Sequence, residues 1–156
     1  MCPFQFKNES ATQALNFFAR KAGGSIGKLK ALKLIFLADR HHLRLCGVPI
    51  TGDTYYATHI GPIPSNAKDF AENRITDTET RSYNEKYIKT LSTGKYKSIQ
   101  EIDWDTLSES AKESLEWAWK TFGSMKQSEL VAYTRRYPEW KNTERKFSAT
   151  PRAEFS

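Results

Sequence analysis

Cysteine is nearly absent from this chain of 156 residues, which has only Cys2 and Cys46. Because Cys2 lies near the chain end, the pair predicts no disulfide framework, and a reducing cytoplasm is the expected location. No window approaches the roughly 20 apolar residues of a membrane span. The opening "MCPFQFKNES" lacks the basic start and long apolar stretch of a secretory signal. We therefore expect no membrane segment and no export.

Signatures of catalysis are also missing. The sequence contains three histidines, His41, His42 and His59, and it has no phosphate-binding loop, G-x-S-x-G or H-E-x-x-H motif. His42 and Cys46 stand four apart, so they can share one helix face as metal ligands. No second ligand cluster accompanies them, and a cysteine near a helix end is more often a small core residue. We predict no enzymatic activity, no metal and no cofactor.

The stretch Lys28 to Cys46 carries the clearest helical pattern. Its apolar side chains cover well over half of the helix circumference, and they are Leu29, Ala31, Leu32, Leu34, Ile35, Phe36, Ala38, Leu43, Leu45 and Cys46. The remaining narrow sector holds the basic arc, which consists of Lys30, Lys33, Arg40 and Arg44. Gly47 and Pro49 form a normal C-terminal signature. We predict a central helix that is buried on most sides and points the basic arc to water.

Shorter patterns predict the other elements. The expected helices run from Ala11 (capped by Ser10) to Gly23, over 66–73 (capped by Ser65), over 109–122, and from Ser124 to about Arg136, where Pro138 breaks the last one. A polar loop is expected over 74–85 and a hairpin around Thr93-Gly94. These patterns predict a mainly α fold with a small antiparallel β-sheet or hairpin, an α+β domain around a buried central helix. We expect one domain over 1–156, with its core at about 11–143 and a flexible tail at about 147–156.

Positive charge is concentrated in the first third of the chain. Residues 1–50 hold eight Lys or Arg against two acids, whereas residues 51–156 hold sixteen of each sign. The net charge of +6 therefore belongs entirely to the first segment. This surplus is typical either of a site for an acidic partner or phosphate backbone, or of a merely solvated basic face.

Two polar residues interrupt the apolar sector of the central helix. Asp39 and His42, three apart, can bond each other or neighbouring backbone groups. A catalytic or metal pair is one interpretation. We favour the other, a buried polar network of Asp39, His42, Thr51 and Asp53 that holds the turn after the helix.

The segment after the helix predicts a rigid loop that presents side chains at a defined place. A turn at Thr51–Asp53 precedes "TYYATH", whose residues suit a strand, and "GPIPS" then restricts the backbone. Tyr55, Tyr56, Ile60 and Ile63 surround this strand, and we expect its edge to be exposed to a partner. Loops of this kind more often serve recognition than catalysis.

Several motifs occur here in a specific order. Between residues 28 and 65 stand K-L-x-x-L, A-D-R-x-H-L, P-I-T-G-D-x-Y and G-P-x-P-S, and "LSESAKESLEWAWKTFGSMKQSELVAYT" follows later. From about Ala11 to Thr143, this pattern closely resembles the Panacea domain, also called the SocA-like antitoxin domain. The chain has Thr134-Arg135 and Pro138-Glu139-Trp140 where that family often has Thr-His and Gly-Pro-Trp.

The resemblance implies an antitoxin of a bacterial or phage toxin–antitoxin module, type II-like, that neutralises a cognate toxin by direct protein binding. The family's namesake is an adaptor that delivers its toxin to a protease, so a protease is an alternative partner. We expect the toxin to contact the basic arc and the region around the Gly-Pro corner, which together comprise Lys30, Lys33, Arg40, Arg44, Tyr55, Tyr56, Gly61 and Pro62. A homodimer through the strand edge is a further expectation.

DNA binding is the alternative function, since antitoxins often repress their own genes. The basic arc favours it, with Arg20 and Lys21 adjoining. However, no helix-turn-helix pattern is visible, and a helix buried on most sides cannot enter a major groove. We therefore favour a protein partner over DNA.

Overall fold

The computed structural model describes residues 4–72, 74–137 and 153–154. Cys2, the expected break at Pro138, the Pro138-Glu139-Trp140 departure and nearly all of the expected tail lie outside these residues. Within the described ranges the helices are α1 (Asn8–Lys21), α2 (Lys28–Cys46), α3 (Ser65–Ala71), α4 (Thr78–Tyr87), α5 (Glu109–Phe122) and α6 (Gln127–Thr134), with a 3-10 turn at Trp104–Thr106. The strands are β1 (Ser25–Gly27), β2 (Tyr55–Thr58), β3 (Gly61–Pro64), β4 (Ile88–Thr90), β5 (Lys95–Ser98) and β6 (Ala153–Glu154).

The strands form two small antiparallel sheets. One has the order β1-β5-β4, and the other has the order β3-β2-β6. Helices make up most of the rest, and α2 contacts α1, α5, α6 and β3. The predicted fold class, mainly α with small antiparallel sheets, is confirmed.

Helix α2 is the centre of the core. It begins at Lys28 and ends at Cys46 as predicted, with Gly47 in the left-handed region at φ 78°. Every residue from Ala31 to Asp39 is buried, so this helix is covered on all sides along its middle. The end of the helix differs from the prediction, because Leu43, Leu45 and Cys46 are exposed.

Local signals located several other elements correctly. Helix α5 spans Glu109–Phe122, and Ser108 caps it by accepting a hydrogen bond from the N–H of Ala111. The hairpin around Gly94 is confirmed by the antiparallel pairing of β4 with β5. The first four residues of "GPIPS", a segment expected to end a strand, instead form β3 and pair with β2 along its whole length.

The predicted caps of α1 and α6 are wrong. Ser10 lies inside α1, buried, and its hydroxyl donates to the carbonyl of Thr106. Ser124 lies before α6, whose first turn is closed by the Glu129 carboxylate accepting from the N–H of Lys126 at 2.9 Å. Ser10 lies three residues after the N-cap residue Lys7, and Ser124 lies two residues before Lys126, which is the usual size of error for a predicted helix end.

The polar loop expected over 74–85 is also wrong, because α4 forms from Thr78. Asp77 caps this helix by accepting from the N–H of Thr80 at 2.8 Å. Tertiary bonds to α1 then hold its polar face, including Gln13 to the Tyr83 hydroxyl at 2.9 Å. A polar segment is helical here because α1 supplies polar partners.

The turn after α2 is packed tightly against the N-terminal segment. The N–H of Lys7 donates to the carbonyl of Thr51 at 2.7 Å. Gly52 has φ 69°, and a Cβ atom there would lie 2.2 Å from the backbone oxygen of Gln5. Gly52 is therefore required both for its backbone conformation and for the close approach of another backbone.

A pair of glycine substitutions tests this packing. Gly52→Ala should lower the free energy of unfolding by about 3 kcal/mol or more, since strain and a backbone clash add. Gly47→Ala is the matched control, because it has a similar φ of 78° and no atom within 4 Å of the added Cβ. It should lose only about 1 kcal/mol. Urea unfolding measures both losses, and equal losses would show that the N-terminal segment does not pack on this turn.

Candidate functional site

The carboxylate of Asp39, in the middle of α2, organises the turn that follows the helix. Its Oδ1 atom accepts hydrogen bonds from the N–H groups of Ile50 and Thr51, each at 2.9 Å. Its Oδ2 atom accepts from the hydroxyls of Thr51 at 2.5 Å and Tyr55 at 2.6 Å. Asp39 is only 3% exposed. One buried side chain thus connects α2 to the turn and to the first residue of β2.

Burial and the four donors act in opposite directions on the protonation of Asp39. Burial raises the pKa of Asp39 above its ordinary value, and the hydrogen bonds from Thr51, Tyr55 and Ile50 oppose that rise. Burial, together with the neighbouring carboxylate, raises the pKa of Tyr55 well above 10. Tyr55 therefore keeps its proton and donates it, and an ionised Asp39 has every partner it needs.

Asp53, two residues after Thr51, forms similar hydrogen bonds with the start of α3. Its Oδ1 atom accepts from the N–H groups of Thr54 at 2.8 Å and Asn66 at 2.9 Å. Its Oδ2 atom accepts from the N–H of Ala67 at 2.9 Å. The carboxylate therefore binds the free N–H groups at the start of α3. Burial raises the pKa of Asp53 to about 6.

This arrangement corrects the expected cap of α3. Ser65 is the first residue of the helix, and Pro64 is its N-cap residue without a side-chain hydrogen bond. The acceptor instead comes from Asp53, twelve residues before Ser65 in the sequence. The predicted network members Asp39, Thr51 and Asp53 lie together, since the N–H of Asp53 also donates to the Thr51 hydroxyl at 3.2 Å.

His42 is buried as predicted, but it does not join this network. Its Nδ1 atom lies 2.5 Å from the carbonyl of Val48, so Nδ1 carries the donated proton. Its Nε2 atom lies 2.8 Å from the Ser110 hydroxyl of α5. Both ring nitrogens are thus occupied, and Cys46 is exposed. Among the described residues, no group of three or more His, Cys, Asp and Glu is placed to hold a metal ion.

The neighbouring His41 also contacts α5, a contact that the sequence analysis missed. Its ring stacks on Trp117 at 4.0 Å and 15°, and its Nδ1 atom lies 2.9 Å from the Ser114 hydroxyl. Burial lowers the pKa of His41, and the nearby His42 adds to this effect. The missed signal was the spacing of Ser110, Ser114 and Trp117, which places them along one face of α5.

Lys33 overturns the prediction that the basic arc points to water. Its side chain is 0% exposed, and Nζ donates to the carbonyl of Pro62 at 2.9 Å. Burial lowers the pKa of Lys33 to about 7, and the positive charge of Arg135 contributes. Lys33 is therefore an internal residue that attaches β3 to α2.

The Gly-Pro corner is internal for the same reason. Gly61–Pro64 is buried throughout, whereas it was expected to lie at an exposed surface. Gly61 has φ 93°, and a Cβ atom there would lie 2.8 Å from Lys33 Nζ and 3.0 Å from Thr134 Oγ1. Glycine thus lets β3 approach both α2 and α6. Gly61 and Pro62 face the core, and so does Thr134, which is 0% exposed.

The other members of the basic arc differ from one another. Lys30 is half-buried, and its Nζ donates to the carbonyl of Gly123 at 2.6 Å. Arg40 is half-buried and lies over the ring of Tyr137 at 4.1 Å. Arg44 is the member that is exposed. The arc is therefore not a continuous basic stripe on the surface.

The strand edge expected to be open is also covered. In register, β2 pairs Tyr56 with Ile63 of β3 on one side and with Glu154 of β6 on the other. Tyr55 directs its hydroxyl to Asp39 and its ring to Phe36, with centroids 5.3 Å apart. The tyrosines are thus half-buried parts of the sheet.

Fold and site together define a small α+β domain in which buried polar side chains hold a hairpin and a short helix on one central helix. The chain belongs to the SocA-like antitoxin family: the family model described as "Antitoxin SocA-like, Panacea domain" matches residues 32–141. This match runs from α2 to beyond α6 and indicates an antitoxin role. Neither the search of curated proteins nor the search of solved structures gave a match. No helix in the described ranges is long and apolar enough to cross a membrane.

Removing the Asp39 carboxylate tests the network. Asp39→Ala leaves four donors without their acceptor, so the free energy of unfolding should fall by about 3 kcal/mol. Tyr55→Phe removes one donor and should cost about 1 kcal/mol. Chemical denaturation measures both variants. Similar small losses would mean that the carboxylate does not hold the turn.

The pKa of Lys33 predicts a specific pH dependence. Because the lysine titrates at about 7 when folded and at 10.5 when unfolded, the unfolded chain binds the extra proton between these values. Stability should therefore rise with pH from about 7 towards 10, by on the order of 4 kcal/mol in total.

Lys33→Met, which keeps an unbranched side chain one atom shorter and removes the amine, should remove this contribution. The measurement is the difference between the unfolding free energies of the two proteins at several pH values. A constant difference would show that the Lys33 amine titrates normally.

Proposed function

We propose that this chain is the antitoxin of a toxin–antitoxin pair and neutralises its cognate toxin by direct, stoichiometric binding. The observation that carries the proposal is the match to the SocA-like antitoxin family over residues 32–141. These residues include most of α2, the network of Asp39 and Asp53, and the hairpin of β2 and β3, whereas α1 and its core residues precede the match. The polar framework around α2 therefore lies within the part shared with the family.

The internal chemistry supports binding rather than turnover. Asp39 and His42, the pair with a catalytic interpretation, and the network member Asp53 are each bound to backbone groups or hydroxyls of the protein. Among the described residues, no buried side-chain nitrogen or oxygen lacks a hydrogen-bond partner. Groups committed in this way hold a shape, and a preformed shape loses little entropy when a partner docks.

Exposure reduces the set of residues proposed to contact the toxin. Lys33, Gly61 and Pro62 are buried and belong to the framework beneath the surface. Tyr55 belongs to it too, since its hydroxyl binds Asp39. The proposed contacts that remain from the original set are the exposed Arg44 and the half-buried Lys30, Arg40 and Tyr56.

Two other modes of action make different predictions. A DNA-binding role would need an exposed recognition helix, whereas α2 is buried from Ala31 to Asp39. An adaptor role would require the toxin to disappear through proteolysis. We favour direct neutralisation over DNA binding, because the basic arc that favoured DNA is not a continuous surface stripe: Lys33 is buried, and Lys30 and Arg40 are half-buried.

Co-expression with the protein encoded by the neighbouring reading frame tests the function. We expect growth rescue, co-purification of the two proteins in a fixed ratio, and an unchanged amount of toxin in the cell. Loss of the toxin that depends on a protease would instead identify an adaptor. Absence of both rescue and co-purification with that protein would contradict the proposal for this pair.

A further inference from the structure

The end of α2 exposes a group of apolar side chains. Leu43 is 41% exposed, Leu45 is 70% exposed and Val48, just beyond the helix, is 45% exposed. Cys46 and Arg44 between them are exposed as well. We call these five residues the α2 end patch. Single exposed leucines are ordinary, but three exposed apolar side chains within six residues of one helix end are a concentration typical of an interaction site.

Burial changes sharply along α2 just before this patch. All residues from Ala31 to Asp39 are buried, and none from Leu43 to Val48 is. His42, bound to Ser110 of α5, is the last buried residue before the patch. The end of the core helix therefore extends past the layer that covers its middle, and it carries leucines where a solvated helix end would carry polar residues.

The patch is held rigidly. The Nδ1 atom of His42 binds the carbonyl of Val48, and Asp39 binds the N–H groups of Ile50 and Thr51. Gly47 ends the helix in the left-handed conformation, and its N–H donates to the carbonyl of Leu43 at 2.9 Å. Both the helix end and the chain after it are thus attached to buried groups, so binding a partner would require little ordering.

Charge distinguishes between the partners that such a patch can bind. Arg40 and Arg44 are the charged residues between positions 40 and 50, and both are positive. In a symmetric contact between two copies, the same patch meets itself and brings Arg44 close to its equivalent. Like charges at an interface are unfavourable, whereas an acidic partner complements them. The patch therefore suits a different protein with apolar and acidic side chains better than it suits a second copy.

We propose that the α2 end patch is the principal toxin-docking surface, where Leu45 inserts into an apolar recess of the toxin and Arg44 faces an acidic group beside it. This inference rests on the proposed antitoxin function. It moves the expected contact from the Gly-Pro corner, which is buried, to the exposed end of α2. The partner is defined by its chemistry: an apolar recess bordered by carboxylates.

Leu45→Glu tests the apolar contact, and Ile99→Glu is the matched control. Ile99 is 49% exposed and follows β5, where the N–H of Ser98 binds the carbonyl of Gly24, just before the other end of α2. A helix of 19 residues separates the two ends by about 27 Å. Both variants should keep a melting temperature near that of the wild type, because both side chains are exposed and a carboxylate at either place can reach water.

We expect Leu45→Glu to weaken binding of the purified toxin at least tenfold and to lose growth rescue, while Ile99→Glu retains both. Arg44→Glu should slow association at low salt, and the difference from wild type should shrink at high salt because the charges are screened. Surface-bound toxin with each antitoxin in solution gives the rates, and circular dichroism verifies that each variant is folded.

The results separate failure of the surface from failure of the function. If wild type rescues and Leu45→Glu rescues and binds equally well, the patch is not the docking surface, although the antitoxin role stands. If wild type neither binds nor rescues, the proposed function itself fails. If sedimentation shows a wild-type dimer that Leu45→Glu dissociates without loss of toxin binding, the patch serves a second copy and this assignment is overturned.

Discussion

The buried carboxylate of Asp39 is the interaction on which the rest of this fold depends. Placing an ionised carboxylate in the middle of a core helix is costly unless its oxygens are fully hydrogen-bonded. Here two backbone N–H groups and two hydroxyls satisfy it. Because those donors belong to Ile50, Thr51 and Tyr55, the hydrogen bonds to Asp39 also determine the path of the chain after α2. Asp53 then extends the same principle from the turn to the start of α3.

Lys33 imposes a second, independent constraint on the same helix. Its amine does not pair with Asp39. The amine donates to the carbonyl of Pro62 and thereby holds the hairpin of β2 and β3 against α2. A lysine can be tolerated there because burial lowers its pKa to about 7, which reduces the cost of the charge. The absence of a side chain at Gly61 provides the space. Asp39 therefore holds the turn after α2 and Lys33 holds β3, and each does so through uncharged hydrogen-bond partners.

These two constraints explain why the surface differs from the one that the helical pattern predicts. The residues that carry the family motifs are largely internal, since Asp39, Gly61 and Pro62 hold the framework. A framework shared within a family can carry different surfaces, because exposed residues change with little effect on the packing beneath. On this chain the α2 end patch is an exposed feature joined directly to that framework. Specificity for a particular toxin would then reside in a few exposed side chains rather than in the motifs.

Local chemistry in the sequence was sufficient for several elements and for the family. The limits of α2 and α5 follow from apolar spacing, from Ser108 and from Gly47, all of which act within one helical turn. The burial of Asp39 and His42 followed from their position in an apolar sector. The partners of His42 did not, because Ser110 lies 68 positions away in the sequence.

Only the tertiary structure decided which parts of the apolar and basic sectors of α2 meet water. Helical periodicity gives directions around an axis, but it does not say how far neighbouring elements reach along that axis. β3 and α6 cover Lys33, while nothing in the described ranges covers Leu45 to the same degree. Likewise, α4 is a helix because α1 offers partners to its polar side chains. The sequence determined the family and the helices other than α4; the packing of distant segments determined α4 and the surface, because burial depends on neighbours that local patterns do not specify.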